Sequence, residues 1–314
     1  MYSYIFKRIL MSVPTMFLVL VIVFALVRMI PGDPAQLMLF DLDNEEAVNQ
    51  MRRQLGLDRS IPEQFFIWLG QLAQGDLGTS IRTQEPVLTA LLDRFSVTAT
   101  LVVMAMTFAT LVAVPAGMIA AWKHNTKTDF AIVLLAIIKL SLPSFWVGLM
   151  LLLFFGVYLQ WLPTIGYVEL STDFGAGVLF LIMPVVSLAL SEIAVITRMM
   201  RSGTLEVMRM EYVTHARAKG LSEGAVMARH VFKNAFSPAL TVIGLVMASL
   251  LGGASVTETV FSLPGLGKLV VDSVYARDYP MLQGALLLIA AIYFVVNLLV
   301  DILYSFLDPR VVLK

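Results

Sequence analysis

The sequence predicts an all-α membrane protein with six transmembrane helices and both termini in the cytoplasm. Hydrophobic residues make up 59% of the 314 residues and charged residues only 14%, and the mean hydropathy is +0.85. Several long windows are almost free of charge, and a helix needs about 20 apolar residues to cross the hydrocarbon core of a bilayer. Helices are the expected spanning elements because they satisfy their own backbone polar groups.

Six apolar segments are the predicted crossings: residues 9–30, 97–121, 130–159, 177–200, 236–256 and 282–307. The first five contain one proline each, namely Pro14, Pro115, Pro143, Pro184 and Pro238. Transmembrane helices tolerate proline because neighbouring helices can satisfy the freed carbonyl groups. Each proline therefore predicts either a gentle kink or a hinge that takes part in gating.

The distribution of Lys and Arg predicts the orientation, because short cytoplasmic loops carry an excess of these residues. With a cytoplasmic N-terminus, the inside segments (1–8, 122–129, 198–235 and 308–314) carry 13 Lys and Arg against 5 acidic residues. The outside segments (31–96, 157–176 and 259–281) carry 7 against 14. The reverse orientation would place the positive excess outside.

The chain divides into four predicted parts. Residues 1–30 form an N-terminal transmembrane helix, which we expect to remain uncleaved because no small-residue cleavage site follows its long apolar run. Residues 31–96 form an acidic outer loop region, in which residues 62–73 have the pattern of an amphipathic helix. Residues 97–307 form a five-helix core with a basic cytoplasmic loop at 201–235, and residues 308–314 form a tail.

The centre of the basic loop reads "EYVTHARAKGLSEGAVMARHVFKNA" over residues 211–235. It is too charged to cross a bilayer, and its pattern predicts two short helices. The first ends at Gly220, where glycine accepts the left-handed conformation, and Ser222 caps the second. The expected apolar face of the second helix consists of Ala225, Ala228, Val231 or Phe232, and Ala235.

Two interpretations of this loop follow from its chemistry. The cationic side chains can lie on anionic lipid headgroups. Alternatively, the small residues Ala216, Ala218 and Gly220 can form a face that another protein approaches closely.

Nine sequence motifs in order carry a family resemblance. They are "KRIL" (7–10), "MIPGDPA" (29–35), "LGLD" (55–58), "GDLGTS" (75–80), "ARAKGL" (216–221) with "RHVFKNA" (229–235), "TETVFSLPGLG" (257–267), "RDYP" (277–280), "NLLVDILY" (297–304) and "DPR" (308–310). The sequence resembles ABC-transporter permeases over nearly its whole length. It is most similar to the peptide, opine and nickel branch, whose importers depend on an external solute-binding protein.

The resemblance implies a type I ABC importer permease fold in a bacterial inner membrane. It implies that residues 201–235 contain a coupling helix that docks on a separate ATPase, with contacts from Tyr212, Ala216, Arg217, Ala218, Lys219, Gly220 and Leu221. The implied partners are a second homologous permease, two ATP-binding subunits, a periplasmic solute-binding protein and membrane lipid, with no nucleic acid. Thr214 and His215 stand where the wider superfamily has Glu and Ala.

No enzymatic site is expected. "GLGK" at 265–268 lacks the first glycine and the final Ser or Thr of a phosphate-binding loop, so we expect no cofactor here and ATP on the partner subunits. The histidines His124, His215 and His230 have no metal-ligand spacing and are expected to be structural or solvated. The chain contains no cysteine.

Five ionisable residues fall in or beside the predicted crossings: Arg28, Lys139, Glu192, Glu258 and Asp301. Intramembrane charge is costly and marks a candidate functional site. A polar translocation path would be lined by Lys139, Ser141, Ser144, Ser187, Ser191 and Glu192. The alternative is that Lys139 and Glu192 simply neutralise each other.

The leading functional hypothesis is a permease subunit that imports a small polar solute, above all a di- or oligopeptide, by alternating access. Nickel, opine or glutathione-type solutes are alternatives within the same branch. A secondary transporter with Glu192 and Asp301 as proton or sodium relays is the alternative from another class, but its expected internal repeats are not visible. A non-transporting membrane scaffold is disfavoured by the motif matches.

Overall fold

The computed structural model describes residues 2–29, 36, 45–54, 56–252 and 254–307. In that part of the chain the regular elements are helices. Three precede the core: α1 (Tyr2–Met29), α2 (Glu45–Gln54) and α3 (Ile61–Ala73). They are followed by α4 (Val87–Trp122), α5 (Lys127–Leu140), α6 (Ser144–Leu151, continued by a π-helical stretch Leu152–Tyr158) and α7 (Phe174–Met208).

The second half of the chain contains the basic loop and the last crossings. Helix α8 (Glu211–Ala218) precedes α9 (Glu223–Val226), which leads through a π-helical turn (Met227–Val231) into α10 (Phe232–Leu251). The chain continues with α11 (Ser255–Val260), α12 (Leu266–Ala276) and α13 (Tyr279–Leu307). Residues 308–314, the predicted tail, lie outside the described residues.

Five helices among the described residues are long and apolar enough to cross a membrane: Leu10–Met29, Val87–Trp122, Phe174–Met208, Glu223–Leu251 and Tyr279–Val300. A sixth crossing requires Lys127–Leu140 and Ser144–Tyr158 to be counted as one span. The all-α membrane class is confirmed, whereas the count of six and the sidedness of the termini stay predictions.

The third predicted crossing, 130–159, is wrong as one continuous helix. Helices α5 and α6 meet at a bend of 95°, and Pro143 lies at the break. Proline lacks an N–H group, and it disfavours the helical conformation in the residue before it. Pro143 therefore marks a sharp break rather than a gentle kink, whereas the other four prolines lie inside continuous helices.

The core forms where α4 packs along α7, with α10 and α13 beside them. Gly117 allows α4 and α7 to approach closely, because a β-carbon there would lie 2.7 Å from the Thr197 carbonyl oxygen. Gly203 similarly allows α10 to approach, since its β-carbon would lie 2.9 Å from the Ala235 carbonyl oxygen. Small residues at such contacts are typical of helix packing in membranes.

The predicted amphipathic helix is confirmed as α3, and it packs against α1. The ring centroids of Phe24 and Phe65 are 5.2 Å apart, and those of Phe24 and Trp68 are 5.6 Å apart. The guanidinium of Arg28 lies 4.5 Å from the centre of the Phe24 ring, and its Nε donates to Gln64 Oε1 at 3.0 Å.

Candidate coupling and translocation sites

The coupling segment, residues 201–235, is anchored in the core by apolar side chains. Val213 on α8 and Val226 on α9 are fully buried, and both belong to the main hydrophobic cluster of the described residues. Val231 and Ala235 extend the buried face into α10. This face differs from the expected one, because Ala228 is exposed and Ala225 is only half-buried.

A left-handed glycine makes the turn between the two halves of the coupling segment. Gly220 has φ of +79°, as predicted, and its N–H donates to the Arg217 carbonyl at 2.9 Å. Nothing lies within 4 Å of the position that a β-carbon would take. The requirement for glycine therefore comes from backbone conformation alone.

Side-chain contacts close the turn. Arg217 Nε donates to Glu223 Oε1 at 2.8 Å across it. Tyr212 joins α8 to the start of α10, since Asn234 Nδ2 donates to the Tyr212 hydroxyl at 2.7 Å. Ser222 accepts the Ala225 N–H at 3.4 Å and caps α9, as predicted.

The second half of the coupling segment is not a separate short helix. Helical structure is continuous from Glu223 to Leu251, and the whole stretch forms one candidate span. The prediction of two independent short helices is therefore wrong for the second one. Between Gly220 and Gly252 the sequence offers no strong helix stop, and Pro238 is tolerated inside α10.

The residues expected to contact a partner fall into two groups. Ala216 is only 5% exposed and packs inside the chain. Contrary to expectation, it is therefore not part of an open face of small residues. Arg217 is half-buried, whereas the remaining residues are exposed: Tyr212, Ala218, Lys219, Gly220 and Leu221. The accessible surface is thus the turn and the end of α8.

A polar cluster joins α5 to α7 at the start of this segment. Arg201 holds Asp129 with two hydrogen bonds, from Nε to Oδ1 at 2.7 Å and from Nη2 to Oδ2 at 2.8 Å. His124 Nδ1 lies 3.2 Å from the same Oδ2. His124 thus has a structural contact, and in the described part of the chain no group of three acidic, His or Cys side chains could hold a metal.

The candidate translocation residues gather where the α5–α6 break faces α7. Lys139 Nζ donates to Ser191 Oγ at 3.0 Å. Ser187 Oγ donates to the Ser144 carbonyl at 3.3 Å, directly after the break. The structure therefore brings both helices of the bent pair into polar contact with α7.

The remaining candidates are less tightly linked. Ser141 Oγ donates to the Ile137 carbonyl of its own helix at 3.1 Å. Lys139 and Glu192 attract each other electrostatically, but the ion pairs of the described residues do not include a direct contact between them. Lys139 instead donates to Ser191. The geometry therefore does not support an ion pair in which Lys139 and Glu192 neutralise each other. The side chain of Asp301 lies outside the described residues.

Glu258, in the "TETVFSLPGLG" motif, organises the predicted outer side of the core. It is fully buried, and its carboxylate accepts the Thr98 hydroxyl at 2.6 Å and the Lys268 N–H at 2.8 Å. A β-carbon at Gly265 would lie 2.3 Å from the carboxylate carbon. Burial raises the pKa of Glu258, although these hydrogen bonds act in the opposite direction. The sequence analysis placed Glu258 beside a crossing but did not predict that its carboxylate accepts hydrogen bonds from Thr98 and Lys268.

Asp278, in the "RDYP" motif, is the second outer carboxylate, and the sequence analysis missed it as well. It accepts the Ser80 hydroxyl and the N–H groups of Ile81 at 3.2 Å and Arg82 at 3.4 Å. It also accepts the Met281 N–H at 3.3 Å, in the first turn of α13. Asp278 thereby joins the end of the "GDLGTS" motif to the start of the last crossing. An Asp two residues before a Pro at a helix start is a readable capping signal.

Comparisons with known families cover both halves of the chain. Residues 113–313 match the family model described as binding-protein-dependent transport system inner membrane component. Residues 1–102 match the model of the N-terminal part of such membrane components. The chain belongs to this family.

Individual permeases of the family are similar along their full length. The dipeptide transport system permease protein DppB of Alkalihalophilus pseudofirmus is 37% identical over 99% of both chains. The di/tripeptide transport system permease protein DppB of Pseudomonas aeruginosa is 40% identical over 99% of both chains. A solved amino acid ABC transporter is 18% identical, covers 71% of this chain and 94% of its own, and has a TM-score of 0.48.

The family indicates how the coupling segment and the α5–α6 break can be interpreted. The chain is a multi-pass inner-membrane permease of a binding-protein-dependent ABC importer. In such a permease, the coupling segment and the α5–α6 break are separate candidate sites. The first offers an exposed turn joined to a spanning helix, and the second places polar side chains between spanning helices.

Proposed function

We propose that this permease imports short peptides, with ATP hydrolysed by separate subunits. Similarity to dipeptide and di/tripeptide permeases over 99% of the chain supports a peptide as the solute. The complete assembly would contain a second homologous permease, two ATP-binding subunits and a periplasmic peptide-binding protein. The chain itself would bind no nucleotide and catalyse no reaction.

The observation that carries the proposed mechanism is the continuity of the coupling segment with a crossing. Helix α8 and the Gly220 turn are fixed to the core by Val213 and Val226. The helical path then continues from Glu223 to Leu251. A displacement imposed on the exposed turn by a docked ATPase would therefore move the spanning helix Glu223–Leu251 directly. Rigid elements with two discrete positions are the physical carriers of such coupling.

We expect the same motion to change the contacts at the α5–α6 break. Lys139 and Ser144 lie on opposite sides of the break, and each makes a hydrogen bond to α7. Rearrangement of these contacts would alter the polar surface between the helices. We propose that Lys139, Ser191 and Glu192 form part of the solute path, with Ser141, Ser144 and Ser187 beside them.

Reconstitution tests the function as a whole. The chain, its second permease, the two ATP-binding subunits and the binding protein would be placed in proteoliposomes, and uptake of a labelled dipeptide would be measured. The proposal predicts uptake that requires both ATP and the binding protein. Uptake driven by a proton or sodium gradient without ATP would instead support a secondary transporter. Uptake of nickel but not of dipeptide would assign a different solute.

A further inference from the structure

Two cavities lie along the contact between α1 and α13. The outer cavity has a volume of about 340 Å³ and is bordered by the end of α1, by α3 and by the start of α13. The inner cavity, of about 460 Å³, lies deeper between the same two helices. Neither cavity touches the coupling segment or the α5–α6 break.

The outer cavity is rich in positive charge. Arg28, Arg53 and Arg59 line it, and its described lining contains no Asp or Glu. Arg28 Nε is bound to Gln64 Oε1, a neutral partner that orients the guanidinium without neutralising it. Guanidinium groups match phosphate and carboxylate oxygens with paired hydrogen bonds. The charge of the lining therefore favours an anionic occupant.

Two buried polar groups that line the same cavity have no hydrogen-bond partner among the described residues. They are the hydroxyl of Tyr279 and the amide nitrogen of Gln283. The residues are only 6% and 7% exposed. Four positions apart on α13, they share one helix face. An unsatisfied buried donor is costly, so a hydrogen-bond acceptor at this end of the cavity would stabilise both groups.

The inner cavity is mainly apolar and follows the outer cavity along the same two helices. It is lined mainly by Met11, Met16, Val19, Leu286, Ala290 and Phe294. Leu286 follows Gln283 by three residues, which corresponds to about 4.5 Å along the helix. The polar and apolar cavities therefore succeed one another along the same helix pair, with the charge at the end of the crossing.

We propose that the contact between α1 and α13 binds one anionic glycerophospholipid. The phosphate would be held by Arg28, Arg53 and Arg59 together with Tyr279 and Gln283, and an acyl chain would occupy the inner cavity. A lipid fits better than a small anion because an apolar cavity follows the polar one along the same two helices. The location also suits it, since α1 packs chiefly on α13 and otherwise exposes large apolar side chains, such as Leu10, Phe17 and Leu18.

The first test measures lipid retention by the complete transporter. Nanodiscs with equal amounts of phosphatidylglycerol and phosphatidylcholine would be the source, and native mass spectrometry would count the lipids that remain bound. We expect one retained phosphatidylglycerol, and about tenfold weaker retention in the Arg53→Gln/Arg59→Gln double variant, because charge-assisted hydrogen bonds are lost. Arg82→Gln/Arg94→Gln is the matched control. It removes two exposed arginines outside the lining and should retain the lipid.

Tyr279→Phe separates lipid binding from a structural role. The hydroxyl has no partner among the described residues, so its removal should not lower the melting temperature of the lipid-free transporter. It should nevertheless weaken phosphatidylglycerol retention several-fold. Ala290→Phe, which fills the inner cavity, should weaken retention of the lipid without affecting inorganic phosphate binding.

Three outcomes would overturn the proposal. Equal retention of phosphatidylglycerol and phosphatidylcholine would show that the arginines do not select an anion. Full displacement of the lipid by millimolar inorganic phosphate would identify a free-anion site. Unchanged retention in Ala290→Phe would exclude the acyl-chain position.

Discussion

The predicted outer side of the core and the coupling segment are stabilised by different interactions. On the outer side, Glu258 and Asp278 are buried carboxylates that accept hydrogen bonds from distant parts of the chain. In the coupling segment, Val213 and Val226 provide apolar burial, whereas the ion pair of Arg217 and Glu223 is partly exposed. The outer side therefore depends on particular hydrogen-bond partners, and the coupling segment depends on packing beneath a polar surface.

Because of this difference, substitutions in the two regions should affect different properties of the protein. Removing a buried carboxylate leaves several donors without acceptors, and this cost is large. Changing an exposed residue of the coupling segment costs little in stability. We therefore expect substitutions at the outer carboxylates to affect folding, whereas substitutions at the turn affect communication with a partner.

The largest effect on stability is expected for Glu258→Ala. Thr98 and the Lys268 N–H lose their shared acceptor, and the free energy of unfolding should fall by about 3 kcal/mol. Thermal unfolding in detergent would measure this loss. Glu206→Ala is the control, because Glu206 is exposed and its loss should change little. Equal melting temperatures for the two variants would contradict the role of Glu258.

A smaller loss is expected for Asp278→Asn. The amide nitrogen would face donors such as the Ser80 hydroxyl and the Ile81 N–H, at a cost of about 2 kcal/mol. Hydrogen exchange of the amides near residue 80 should accelerate along with the fall in melting temperature. Asp272→Asn, at an exposed position in the second turn of the neighbouring helix α12, should leave both quantities unchanged.

The smallest effect is expected for Arg217→Gln. Its ion pair with Glu223 is partly exposed on both sides, and such pairs contribute about 0.5 kcal/mol. A double-mutant cycle with Glu223→Gln would measure the coupling energy. A value as large as that of the outer carboxylates would remove the contrast between the two regions.

Much of the fold could be predicted because long apolar segments and loop charges are strong local signals. The break at Pro143 could not, because apolar residues continue on both sides of it and other prolines, such as Pro115, lie inside intact helices. The continuous helix after Glu223 was missed for a similar reason: the charges of Arg229 and Lys233 indicate a loop, although they are compatible with an extended helix beyond the bilayer.

The candidate sites were predictable only where the signal was local. The left-handed turn at Gly220 and the cap at Ser222 depend on neighbouring residues, and both were predicted. The burial of Ala216 and the link from Asp278 to Ser80 depend on long-range packing. A single sequence holds no measure of such contacts, even when both motifs are recognised.

The measurement that tests the coupling proposal most directly is ATPase stimulation in the Gly220→Val transporter. Valine at φ of +79° costs roughly 1 kcal/mol or more in backbone strain, which distorts the turn while the spanning helices remain folded. We expect normal assembly with the second permease, weaker co-purification of the ATP-binding subunits, and hydrolysis that no longer responds to the loaded binding protein. Gly224→Ala, inside α9 with open space around it, should respond normally. If the coupling segment only lies on lipid headgroups, both variants will respond normally and loss of Arg217 and Lys219 will be harmful. Full stimulation in Gly220→Val would contradict the proposal.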